Sequence, residues 1–122
     1  MTPAEALHAL HRAGRIARPW LPGMNAVGGE GSGDYRTSTG WVPEGAEPDL
    51  TDPATVGCLL ALLREAERDP GITTRAPTDP HGGNWYVHVP SEDAWATDSG
   101  APTEGEAIAA ALIALARPIS SS

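Results

Sequence analysis

The chain of 122 residues is long enough for one domain to bury a core without disulfides or a structural metal. Its formal net charge is −8, with 16 acidic residues against eight arginines and no lysine, which disfavours binding to nucleic-acid backbones or anionic lipids. One cysteine cannot form an intramolecular disulfide, and the lack of a signal peptide or of an apolar run of about 20 residues predicts a cytoplasmic protein without a membrane segment.

The first predicted element is a helix over about residues 3–13. Thr2 is placed to cap it, and Glu5 lies three residues later, as a capping box requires. Gly14 is expected to end the helix because glycine adopts the left-handed conformation found beyond many helix C-termini.

Two further helices follow from the same signals. In "TDPATVGCLLALLREAERDPG" Asp52 is the expected cap, leucines recur at helical spacing, and residues 69–71 end the helix. In "PTEGEAIAAALIALARP" Thr103 and Glu106 form a second capping box, and Pro118 is expected to terminate the helix.

Strand signals lie between the helices. "NWYVHV" (84–89) alternates apolar and polar residues, and "AWAT" (94–97) is expected to pair back on it as a hairpin. "YRTSTGWV" (35–42), "GITTRA" (71–76) and "RIAR" (15–18) are further strand candidates.

This order of elements predicts an α+β fold, in which a small, mainly antiparallel sheet packs with about three helices as a sandwich. Residues 1–118 are expected to form the single domain and residues 119–122 a disordered tail. Because the "WYVHV" strand has two usable faces and edges, a homodimer through strand pairing stays open.

The segment "RIARPWLPGM" combines cations, a tryptophan between prolines and a methionine. Arg15, Arg18, Trp20 and Met24 are the candidate binding residues, since arginine beside tryptophan suits an anionic planar ligand or a protein interface. The alternative is a staple in which Trp20 covers the end of the core and Met24 fills the adjacent gap. We favour the staple.

No specific catalytic or metal motif is found, so no cofactor is expected. His8 and His11 share a helix face and could begin a zinc site, but no further ligand has motif spacing, which favours a solvated face. Cys58 could act as a nucleophile with His81 or His88, but its position inside the second helix favours structural burial.

Two loops are candidate ligand sites. The glycine-rich residues 28–34 lack the lysine and the following helix of a phosphate loop, so a flexible connection is the favoured interpretation. The acidic residues 44–52 could mimic a phosphate backbone or meet a basic partner, although a solvated loop is the more usual explanation.

The segments "ARPWLPGM", "LTDPATVGCLLALLREAERDP" and "PTEGEAIAAALIAL" together resemble small phage and prophage proteins of unknown function. They are similar to the set described as phage ABA-sandwich domains, which implies helices on both faces of a sheet. Residues 1–24 alone also look like the opening of a phage anti-defence family that sequesters nucleotide-derived signals of the Thoeris system.

The resemblance implies a phage or prophage accessory protein that binds a host protein or assembly without catalysis and inhibits a host defence system. Two alternatives stay open. One is sequestration of a small anionic nucleotide by Arg15, Arg18 and Trp20, and the other is a metal-dependent enzyme built around His8 and His11.

Overall fold

The computed structural model describes residues 1–28, 45–78, 83–90 and 100–118 in full, and the backbone of residues 35–36, 94–95 and 119–120. Three helices and six short strands follow one another along the chain. In order they are α1 (Pro3–Arg12), β1 (Asn25–Gly28), β2 (Tyr35–Arg36), β3 (Ala46–Pro48), α2 (Pro53–Glu67), β4 (Thr73–Arg75), β5 (Tyr86–Val89), β6 (Ala94–Trp95) and α3 (Glu104–Ser120).

The helices begin where the sequence predicts. Thr2 and Glu5 form both bonds of the capping box at 3.2 Å, and Asp52 accepts a hydrogen bond from the Thr55 N–H at 3.0 Å. Thr103 accepts from the Glu106 N–H at 3.2 Å at the start of α3.

The predicted end of α3 at Pro118 is wrong, because the helix continues through this residue to Ser120. A proline removes one backbone donor but leaves the following residues free to keep helical dihedrals, so it does not always stop a last turn. The predicted tail therefore begins with two helical residues, and residues 121–122 lie outside the described part of the chain.

The α+β class is confirmed, but the described strands form two sheets where one was expected. Both sheets are antiparallel and three-stranded, with strand orders β2-β1-β3 and β4-β5-β6. Helix α2 separates the two sets of strands along the chain, so each sheet is built from neighbouring segments.

Individual strand predictions fare differently. The hairpin of β5 with β6 and the strand within residues 71–76 are confirmed. Residues 15–17 form a bend and Arg18 belongs to no regular element, so no strand occurs there, and 37–42 lie outside the described residues. Strand β5 is central in its sheet, so neither of its edges is open for the pairing of two copies suggested above.

Helix α3 lies at the centre of the packing, where it contacts α1, α2 and β5. In its first turn, buried Gly105 approaches the chain between β3 and α2 so closely that an added Cβ would overlap the Leu50 carbonyl oxygen. A glycine is required here for that close approach. The largest fully buried side chains include Leu7, Leu10, Trp20, Met24, Leu59, Leu62, Leu63, Ile72, Ile108 and Leu112.

Among the described residues, no helix is both long and apolar enough to span a membrane.

Candidate binding surface at the ends of two helices

The segment after α1 acts as a staple through its two largest apolar side chains. Trp20 is 1% exposed and Met24 is fully buried. A β-turn closes the segment: the Met24 N–H donates to the Leu21 carbonyl at 3.2 Å, and Gly23 at φ +97° takes the position that needs positive φ. Within the described part of the chain, the buried indole Nε1 of Trp20 has no hydrogen-bond partner, so a ligand could reach it only by opening the core.

Helix α1 ends in a Schellman motif. The Gly14 N–H donates to the His11 carbonyl at 3.0 Å, and the Arg15 N–H donates to the Leu10 carbonyl at 2.9 Å. Gly14 has φ +76°, and a Cβ added to it would meet nothing within 4 Å. Glycine serves here for its backbone conformation alone.

Helix α2 ends in the same motif, but an arginine occupies the left-handed position. Arg68 has φ 56° and ψ 37°, its N–H donates to the Glu65 carbonyl at 3.1 Å, and the Asp69 N–H donates to the Arg64 carbonyl at 3.0 Å. Arg68 is the one non-glycine residue with positive φ in the described backbone. An L-residue with a Cβ is strained in this region.

Side-chain bonds hold these two helix ends together. The Arg15 guanidinium Nε donates to the Ala66 carbonyl at 3.0 Å, and the Ala17 N–H donates to the Glu65 carboxylate at 2.6 Å. Arg64 donates through Nε to the Ile72 carbonyl at 2.9 Å and so links the last turn of α2 to the chain just before β4. The segment after α1 is thereby fixed against the last turn of α2.

The result is a locally basic end on an acidic protein. Residues 12–18 and 64–69 contain five of the eight arginines and three carboxylates. Arg15 and Arg64 are half-buried and bonded to carbonyls, whereas Arg12, Arg18 and Arg68 are exposed. Within the described part of the chain, the side chains of these three make no hydrogen bond or ion pair. We call Arg12, Arg18 and Arg68 the arginine surface.

Unlike the arginine surface, the described part of the acidic residues 44–52 is hydrogen-bonded within the fold. The solvated-loop interpretation is therefore wrong for this part. Residues 46–48 form β3, and the Glu47 carboxylate accepts from the Ala4 N–H at 2.9 Å in the first turn of α1. Asp52 caps α2. Carboxylates at helix N-termini are stabilised by the unpaired N–H groups and by the helix dipole.

Asp49 completes a polar network around Asn25. It accepts from the Thr51 hydroxyl at 2.6 Å, from the Thr51 N–H at 2.9 Å and from the Asn25 side-chain amide at 3.0 Å. Chiefly the bonds from Thr51, and then the one from Asn25, hold the pKa of the Asp49 carboxyl below its usual value. Fully buried Thr55 extends the network, because its hydroxyl donates to Asp52 and accepts from the Asn25 N–H, both at 2.7 Å.

The candidate metal residues His8 and His11 are not joined by further ligands in the described part of the chain. His8 and His11 are exposed on α1, and no group of three or more His, Cys, Asp or Glu side chains that could hold a metal occurs among the described residues. Cys58 is half-buried against the core rather than fully buried. His81 lies outside the described residues, as does the glycine-rich loop beyond Gly28.

Two parts of the site were missed from the sequence. The sequence places Arg68 before the helix end at residues 69–71, and its position two residues before Pro70 is the signal that could have identified it, because helices often end in a left-handed residue shortly before a proline. Arg12 lies within the first predicted helix, and its grouping with Arg68 depends on the bond from Arg15 to Ala66.

Comparisons of the chain with protein-family models, with curated proteins and with solved structures found no match.

Proposed function

We propose that this protein acts by non-enzymatic binding, and that the arginine surface docks on a protein of a bacterial host. The observation that carries the proposal is the exposure of Arg12, Arg18 and Arg68 at one end of a chain whose net charge is −8. Arginine is enriched in protein interfaces, and exposed charges of one sign steer association with a surface of the opposite sign.

The surface is also held in shape before any partner arrives. Arg15 and Glu65 fix the segment after α1 to the end of α2, and Trp20 and Met24 anchor the same segment in the core. A preformed surface loses less conformational entropy on binding than a flexible segment does. In this proposal Trp20 and Met24 support the binding residues, and Arg15 acts from within the fold.

The sequence resemblance to small phage and prophage proteins supports a role in the host, as an inhibitor of a defence system. Inhibition through protein contact needs only a surface that covers the partner, and no chemistry beyond it. Capture from lysate therefore tests whether the proposed complex forms, and an assay in the host tests whether the complex inhibits a defence system.

Capture from bacterial host lysate tests the proposal. Tagged wild type is compared with a triple variant, Arg12→Gln, Arg18→Gln and Arg68→Gln, and with a matched control that replaces Arg75 and Arg117, two exposed arginines outside the surface, by glutamine. We expect one host assembly to be retained by wild type and control and lost by the triple variant. Equal retention by all three proteins would refute the surface as the binding site.

Sequestration of a small anionic nucleotide is the competing function, and thermal unfolding separates it from protein binding. A ligand that binds only the folded state raises the unfolding midpoint, and the rise grows with the logarithm of the free ligand concentration relative to its Kd. A rise with one nucleotide that the triple variant abolishes would replace the proposed partner protein with a nucleotide.

A further inference from the structure

Arg68 occupies a backbone position that glycine fills at the equivalent end of α1. Both helix ends form the same pair of hydrogen bonds, and both left-handed residues have similar φ, +76° for Gly14 and 56° for Arg68. The Cβ of an arginine is strained in this conformation and that of glycine is absent. The side chain of Arg68 makes no hydrogen bond or ion pair with any other described residue that would offset the strain.

Arg68 lies at a different helix end from the other two residues of the arginine surface. Arg12 and Arg18 both belong to the segment around the end of α1, and Arg68 is the member contributed by α2. The bonds from Arg15 to Ala66 and from Ala17 to Glu65 bring these two segments together within three residues of Arg68. Arg68 is therefore the part of the arginine surface that belongs to α2.

We infer that Arg68 is a specificity-determining contact for the proposed partner, and that this partner is a folded protein presenting a compact group of carboxylates. The inference rests on the proposed function. Backbone strain retained without an internal hydrogen bond or ion pair is the pattern expected at a functional position. A guanidinium binds a carboxylate through two parallel hydrogen bonds, which a lysine cannot reproduce.

A compact acidic patch fits this surface better than a long polyanion does. The three arginines belong to two helix ends that the bonds from Arg15 and Ala17 hold together, while the chain as a whole carries a net charge of −8. An extended nucleic acid would run from the arginine surface onto acidic surface and be repelled there. A protein patch of a few carboxylates meets the arginines alone.

The test compares stability and binding in the same variants, Arg68→Gly and Arg68→Lys. Stability is the thermal unfolding midpoint at about 0.5 M salt, where attraction between Arg68 and the helix dipole is screened. Binding is the fluorescence anisotropy of a labelled tetra-glutamate peptide at low salt, with inorganic polyphosphate as the comparison probe. Arg12→Gln with Arg18→Gln is the reference variant for the remainder of the surface.

We expect Arg68→Gly to raise the midpoint by about 3 °C, because the strain is relieved, and to weaken peptide binding about tenfold. Arg68→Lys should leave the midpoint unchanged and bind with intermediate affinity. A purely structural Arg68 would not combine greater stability with weaker binding.

Four results would overturn the inference. Wild-type affinity in Arg68→Gly, with binding lost in the Arg12 and Arg18 variant, would remove Arg68 as a contact and leave the proposed function standing. Binding of polyphosphate in preference to the peptide, or of neither probe, would reject the carboxylate partner. Peptide binding that survives in the triple glutamine variant would reject the arginine surface itself, and the proposed function with it.

Discussion

The acidic segment around β3 and the arginine surface differ in what their charged side chains contact. Glu47 and Asp52 accept hydrogen bonds from helix N-termini, and Asp49 accepts three hydrogen bonds within a network of neighbouring side chains and backbone. Arg12 and Arg18 are exposed, with no such bonds from their side chains to any described residue. The carboxylates of this segment therefore stabilise the fold, whereas the guanidinium groups of the arginine surface are available to a partner.

The comparison predicts that changes in the acidic network reduce stability and that changes on the arginine surface do not. The largest effect is expected for Thr55→Val, which keeps the shape of a fully buried side chain but removes its hydroxyl. The Asn25 N–H would lose its acceptor, and Asp52 would lose one of its donors. Leaving such a buried group unpaired costs about 2–3 kcal/mol.

Chemical denaturation checks this prediction, with Thr73→Val as the matched control. Thr73 is exposed on β4, so its replacement should change the free energy of unfolding by about 0.5 kcal/mol at most. A loss of similar size in both variants would mean that the network around Thr55 contributes nothing specific.

The next largest effect concerns the helix end that frames the arginine surface. Gly14→Ala introduces a Cβ at φ +76°, where it meets no neighbour within 4 Å, so its cost of about 1 kcal/mol is purely conformational. Gly57→Ala is the control: Gly57 is exposed inside α2, also without neighbours within 4 Å, and alanine there should stabilise the protein by about 0.5–1 kcal/mol. Opposite shifts of the unfolding midpoint are expected, and shifts of the same sign would contradict the argument.

A smaller, pH-dependent effect is expected for Asp49→Asn. Because the pKa of Asp49 is lowered in the folded state, its ionised form stabilises the fold fully above the usual value of 3.8, and this contribution is lost as the pH falls below 3.8 through the lowered folded pKa. The variant should thus unfold at a lower temperature than wild type at pH 7, and the difference should shrink below pH 3.8. A difference that is constant with pH would show that charge on Asp49 is not what stabilises the network.

The smallest effect is expected for the triple variant of the arginine surface. Replacing exposed Arg12, Arg18 and Arg68 by glutamine removes no internal hydrogen bond among the described residues, so we expect each replacement to change the free energy of unfolding by about 0.5 kcal/mol at most. A loss above about 2 kcal/mol by chemical denaturation would place these arginines among the structural residues instead.

Capping chemistry made the helix starts predictable, because Thr2, Asp52 and Thr103 act on residues only three positions away. The β5–β6 hairpin was predictable for the same reason, as its strands are close in sequence. Strands β1 and β3 were missed because each is short and pairs across a long segment, and "AEP" has no strand periodicity.

The candidate site was predictable only in part, for a similar reason. Its composition around Arg15 and Arg18 is visible in the sequence, and so is the choice between staple and binding surface. Burial decided that choice for Trp20 and Met24. The contribution of α2 depends on the bond between Arg15 and Ala66, which joins residues 51 positions apart, and no local pattern carries such a contact.

The most direct test is lysate capture with two variants, one expected to lose stability but not binding and the other expected to lose binding but not stability. Asp49→Asn should unfold more easily at pH 7 but still retain the same host partner as wild type. The triple arginine variant should unfold as wild type does and retain nothing. If the triple variant keeps the partner, or if the Asp49 variant loses it while still folded, the division between an acidic segment that builds the fold and an arginine surface that binds is contradicted.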